Sequence, residues 1–161
     1  MIIDFNEIPA WCKLWVFPSS RKFYDQEISS ITETLEAFLN SWTSNNEPIK
    51  SAYQLKYERF IIIAVDNSET SLSLKAHDQL SLFILELEKK LDVILLDKIN
   101  VCYKQGEFVQ YKDLIEFKKL MTNKSVSEKT IVFDNMITTK EELENDWEIN
   151  ITDSWLGRFL K

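Results

Sequence analysis

The chain has 161 residues, with 19 Lys and Arg against 26 Asp and Glu, a formal net charge of −7, and 45% hydrophobic residues. This is the profile of a globular chain long enough to bury a core without disulfide or metal staples. Its acidic balance excludes a general DNA or RNA binder, which needs a basic face to neutralise phosphates. Only two glycines, Gly106 and Gly157, stand where an average composition gives roughly eleven, which excludes glycine-built phosphate loops and flexible linkers.

Trp11 to Phe17 is rich in aromatic and branched residues and predicts a strand, which Pro18 ends. From Asp25 to Thr43, Ile28, Ile31, Leu35, Phe38 and Trp42 fall on one face at helical spacing. Asn45-Asn46-Glu47-Pro48 breaks that helix. Ser51 to Tyr57 alternates and predicts a half-buried edge strand. Phe60 to Val65 is apolar throughout, so both its faces need cover, and the short Glu58-Arg59 link predicts a hairpin between these two strands. After a polar loop, Asn67 to Ser73, a second helix is predicted from Asp78 to Leu91 on the stripe Leu80, Phe83, Ile84, Leu87 and Leu91. Asn100 to Lys104 and Phe108 to Tyr111 form a hairpin around Gly106. A short helix, Asp113 to Met121, a strand, Thr130 to Phe133, and a helix opened by Thr139-Lys140-Glu141-Glu142 and running to Trp147 complete the order.

The chain therefore reads as a single α+β domain, 1–161. The first six elements have the order β-α-β-β-α-β of a ferredoxin-like split-βαβ core, followed by a C-terminal β-α-β-α extension. That topology makes strands one and three parallel and central, places strand two at an edge and sets strand four beside strand one. The longest fully apolar run is six residues, far below the ~20 a membrane span needs. The N-terminus has no basic n-region, and Cys12 and Cys102 show neither a CxxC nor a zinc-ligand spacing. A cytoplasmic protein with reduced cysteines is expected, and no motif implies a cofactor or metal.

With one histidine, the metalloprotease motif is excluded, and no serine lies in a nucleophile elbow. The two glycines stand 51 positions apart, so neither a Walker loop nor a dinucleotide fingerprint exists. In a ferredoxin-like sheet, Arg21, Asp66, His77, Asp78 and Asn100 share one edge, where Arg21 and two helix N-termini suit an anion. Asp66, His77 and Asp78 suit a cation or a proton transfer instead. The competing reading makes Asp25 and Asp78 plain helix caps, with Arg21 paired to one of them. Trp15, Trp42 and Trp147 are expected in the core. The C-terminal hook Trp155-Leu156-Gly157-Arg158-Phe159-Leu160-Lys161 either docks on its own domain or presents Trp155, Arg158 and Phe159 to a protein partner.

Six stretches together carry a resemblance: LWVFPSSRKF (14–23), LEAFLNSWTSNN (35–46), YERFIIIAVD (57–66), LLDKINVCYK (95–104), TIVFDNMITTKEELENDWEI (130–149) and SWLGRFL (154–160). In these stretches the chain resembles a family of small Bacteroidetes proteins of unknown function, often labelled "ABC transporter ATPase". The label implies nucleotide hydrolysis, which the glycine count opposes. Where that family carries Gly-Cys-Ser-Ile-Asp, this chain has Leu74-Lys75-Ala76-His77-Asp78 and keeps the aspartate alone. The expected role is binding, of a protein partner or of a small ligand at the Arg21/Asp66/Asp78 edge. The alternatives are a small enzyme using the carboxylates and His77, or a regulatory subunit of a transporter complex.

Overall fold

A computed structural model describes residues 1–160. The elements are β1 (Leu14–Pro18), α1 (Asp25–Ser41), β2 (Thr43–Ser44), β3 (Glu47–Pro48), β4 (Ser51–Lys56), β5 (Phe60–Val65), α2 (Leu74–Leu91), β6 (Val101–Gln105), β7 (Phe108–Lys112), α3 (Leu114–Thr122), β8 (Ile131–Phe133), α4 (Lys140–Asn145) and β9 (Glu148–Asn150). Short 3₁₀ turns cover Phe5–Glu7, Ile151–Asp153 and Trp155–Phe159.

The α+β class holds, with a pairing other than the ferredoxin-like one. One sheet has the order β1-β5-β4, a second the order β7-β6-β8-β9, and β2 and β3 make a small separate hairpin. β5 is central and fully buried, and β4 is an edge, as their patterns predict. However, β1 runs antiparallel to β5, with Leu14 opposite Ala64 and Pro18 opposite Phe60. The fourth predicted strand, β6, does not lie beside β1 but anchors the second sheet, where β8 fills the place between β6 and β9. An apolar pattern specifies which faces of a strand are covered; it does not specify the neighbour or its direction.

The layering follows from strict alternation. Leu14, Val16, Phe60, Ile62 and Ala64 face one way and pack with Cys102, Phe133 and Trp147 of the second-sheet layer. Trp15, Phe17, Ile61, Ile63 and Val65 face the other way onto α1 and α2 through Ile31, Leu35, Leu80 and Ile84. Beyond the second sheet, Val101, Tyr103 and Val132 pack against Phe117 of α3 and against Leu156. The result is four layers, helices, sheet, sheet and helix with hook. Phe60 is a pivot of the seam between the sheets, with ring centroids 4.9 Å from both Phe133 and Trp147.

Helix ends obey capping chemistry. Ser73 Oγ accepts the Ala76 N–H at 3.1 Å, Asp113 accepts from Glu116, and Thr139 accepts from Glu142. α2 thus opens at Leu74, four residues earlier than its apolar stripe indicates, and Asp78 is an interior residue rather than a cap. At α1 the Tyr24 N–H donates to Glu27 Oε1 at 2.8 Å, and Asp25 is the first helical residue. Among the described residues, six non-glycine residues take a left-handed backbone: Asn45, Asn46, Tyr57, Glu58, Asp92 and Lys124. Gly106 turns the β6–β7 hairpin at φ +63° as predicted. Trp42 and Trp147 are buried and Trp15 is half-buried, whereas Trp11 is 61% exposed. None of the helices among the described residues is long and apolar enough to cross a membrane.

Candidate functional site

The antiparallel pairing of β1 and β5 splits the predicted edge into two opposite ends. Arg21 follows the end of β1, beside the start of β5, where the Ser19 N–H donates to the Arg59 carbonyl. Asp66 follows the end of β5, beside the start of β1, where the Val65 N–H donates to the Lys13 carbonyl. The helices confirm the split. Arg21 Nη2 donates to the Leu91 carbonyl at the last turn of α2, while His77 and Asp78 lie in its opening turns. At 1.5 Å per residue, Arg21 and Asp78 stand about 20 Å apart along α2. Arg21, Asp66, His77, Asp78 and Asn100 therefore do not converge.

At the Arg21 end, the groups are satisfied internally. The guanidinium grips Glu27 with two bonds, 2.8 and 3.0 Å, and stacks over the Tyr24 ring at 4.5 Å. The Arg21 hydrogen bonds hold the Glu27 carboxyl below its ordinary range. Asn100 Nδ2 donates to the Tyr111 hydroxyl at 2.7 Å. Arg21 ties the start of α1 to the end of α2, a positioning role rather than an open anion site.

The Asp66 end holds a cleft of about 270 Å³. Its apolar wall is Pro48, Ile49, Val65 and Leu72. Its polar rim is Ser44, Glu47, Lys50, the run Asp66-Asn67-Ser68-Glu69-Thr70 and Met1, whose α-ammonium group donates to the Ile49 carbonyl at 2.9 Å. The sequence places these groups simply: β5 is apolar to its last residue, and the polar run begins where the sheet stops. Asp66 Oδ1 accepts the Ser68 N–H at 3.0 Å and the Ser68 hydroxyl, and the Cys12 thiol donates to it at 3.7 Å. The Ser68 hydrogen bonds hold Asp66 below the usual carboxylate range, so it is ionised at neutral pH. Asn67 Oδ1 accepts the Lys13 N–H at 3.2 Å, which fixes the start of the run. Ser44 Oγ donates to the Ser71 carbonyl at 3.0 Å and accepts the Ser73 N–H at 2.9 Å, which fixes its end.

His77 lies at the same end, in the first turn of α2, edge-on to Trp15 with ring centroids 5.6 Å apart. Of the five candidates, Asp66 lines the cleft and the other four do not. Glu47, Lys50 and Glu69 were missed by sequence reasoning because they sit in segments that read as loop and helix breaker. Their signal is the abrupt change from six apolar residues to an unbroken polar run at Val65/Asp66. No three His, Cys, Asp or Glu side chains among the described residues are grouped to hold a metal ion.

The hook packs on its own chain. Leu156 is 2% exposed within the third cluster, and Trp155, Phe159 and Leu160 lean against it. Lys118 of α3 stands over the Phe159 ring at 4.3 Å, and Arg158 lies 4.9 Å from the same ring. Neither glycine sits in a strand-to-helix loop: Gly106 turns a hairpin and Gly157 lies in the final 3₁₀ turn. Comparison of the chain with protein-family models, with curated proteins and with solved structures finds no match.

Proposed function

We propose that the protein is a cytoplasmic binding protein whose cleft at the carboxyl end of β5 holds a small ligand bearing an amino group. The observation that carries this reading is the pairing of an ionised Asp66 with an apolar wall in one cavity. Glu47 and Glu69 add negative charge to that of Asp66, three carboxylates against two cations, Lys50 and the Met1 α-ammonium group. The cavity, about 270 Å³, falls just short of the roughly 300–1,000 Å³ of drug-sized ligand sites, which suits a molecule of amino-acid size. Both cysteines are free and buried, which supports a reducing compartment.

The enzyme alternative draws less support. The imidazole of His77 does not line the cleft, whereas a general base has to reach the proton it abstracts from a bound substrate. Burial of Leu156 supports an intramolecular hook over a partner-binding one. As a regulatory subunit of a transporter complex, the alternative that keeps part of the family label, the chain brings no phosphate loop of its own.

The test is a thermal-shift screen of primary amines and amino acids against simple carboxylates, on the wild type and Asp66→Asn. Ligand binding to the native state raises the melting temperature by mass action. Amines are expected to raise it in the wild type and to lose the effect in Asp66→Asn. An equal response from both proteins, or none from any amine, overturns the reading.

A further inference from the structure

His77 is the single histidine of the chain, and its surroundings are unusual for an imidazole. It is half-buried, packed edge-on against Trp15 at 78°, and Lys13 Nζ stands over the same indole at 5.4 Å. Trp15 in turn meets Trp42 at 6.3 Å, and the Trp42 indole N–H donates to the Ala76 carbonyl at 3.0 Å. The ring thus packs on one member of an aromatic pair, Trp15, while the other, Trp42, is tied to the turn that carries the histidine. Two charged groups face it: Lys13, from the segment ahead of β1, and Asp78, from α2 itself.

The same turn is fastened to the cleft. The His77 N–H donates to the Ser73 carbonyl at 3.1 Å, and the Ala76 N–H to Ser73 Oγ at 3.1 Å. Ser73 donates in turn to Ser44 Oγ, and Ser44 and Leu72 both line the cavity. One serine therefore links the first turn of α2 to the cleft wall.

We propose that His77 is a proton-operated release for the first turn of α2 and, through Ser73 and Ser44, for the adjoining wall of the cleft. A proton on the imidazole sets a second positive charge near Lys13 in a poorly hydrated position. It also sets that charge in the first turn of an 18-residue helix, where the backbone dipole is positive. Burial first, and Lys13 second, push the ring's pKa below its ordinary value of 6.5, with Asp78 opposing. In the opened turn the ring regains water and its ordinary affinity for protons. The open form therefore binds more protons, and opening is favoured as pH falls below about 6.5. This inference concerns the wall itself and stands or falls apart from the amine reading of the cleft.

Because there is one histidine, its ring resonance in a proton NMR titration needs no assignment. The expected midpoint lies below 6.5 in the wild type and moves upward in Lys13→Met. Native-state amide exchange, corrected for intrinsic rates, is read at about pH 5 and about pH 7. The Ala76 and His77 amides are expected to lose protection at the lower pH in the wild type and to keep it in His77→Gln. The Ile62 amide in β5 serves as the control and keeps its protection in both. A midpoint at or above 6.5, or pH-independent protection of the Ala76 and His77 amides in the wild type, overturns the proposal. Should His77→Gln not fold, the wild-type exchange and the Lys13→Met titration still decide it.

Discussion

Replacing Gly157 by alanine tests the docked hook through the sign of a stability change. A methyl group at this position meets the Thr152 carbonyl oxygen at 2.9 Å, the Ile151 carbonyl oxygen at 3.0 Å and Thr152 Cα at 3.1 Å. Ordinary contact begins near 3.4 Å, so three backbone atoms that cannot rotate away stand too close by 0.3 to 0.5 Å. Overpacking of this kind costs about 1–3 kcal/mol. Gly157 has no left-handed φ, so alanine suits its backbone and only the space is wrong. On a free tail the same substitution would be neutral, and at any unstrained ordered site it would stabilise by about 0.4–1 kcal/mol through the unfolded chain. Urea unfolding followed by tryptophan fluorescence measures the difference. At a slope of about 2 kcal/mol per molar, the midpoint is expected to fall by about 0.5–1.5 M. A midpoint that is unchanged or higher in Gly157→Ala would refute the docked hook.

Two further outcomes follow from the same physics. Lys124 occupies the left-handed position that closes α3, with its own N–H on the Met121 carbonyl and the Ser125 N–H on the Leu120 carbonyl, a Schellman turn that favours glycine. Lys124→Gly relieves about 1–2 kcal/mol of backbone strain and loses about 0.5–1 kcal/mol to the freer unfolded chain, so calorimetry is expected to show a net gain of about 0.5–1 kcal/mol. Burial pushes the Cys102 thiol up to about 12 and raises Cys12 as well. Both thiols are therefore expected to resist a disulfide reagent at neutral pH in the native protein and to react fully in denaturant; rapid native reaction at either one would contradict their burial.

The elements were legible where one physical signal dominates. β5 announces itself because six apolar residues in a row leave no face for water, and α1 because its stripe repeats over four turns. Strand direction was not legible: Leu14 and Ala64 are partners on one face, yet alternation would look the same had β1 run the other way. β9 escaped notice because Glu148-Ile149-Asn150 offers one apolar residue and no pattern. The start of α2 was misplaced because Leu74 is 83% exposed and joins no stripe, while the cap Ser73 is one serine among several. That error carried into the candidate site. With β1 drawn parallel to β5, Arg21 and Asp66 share an edge, and with Asp78 as a cap the helix start joins them. Of that constellation, Asp66 alone lines the cleft, at the end of the strand whose burial was legible.

The sheet β1-β5-β4 has consequences for how the molecule is made. Everything on its helical side, α1 and α2 included, lies before residue 96, whereas Cys102, Phe133 and Trp147, which with Ile8 and Cys12 cover its other face, come later. At translation rates of about 5–20 residues per second, the last sixty residues take about 3–12 s to emerge. Throughout that interval a nascent chain can complete its first two layers while Leu14, Val16, Phe60, Ile62 and Ala64 face solvent as one flat apolar surface. The seam that closes the core of the finished protein is thus the surface that leaves the unfinished one open to aggregation.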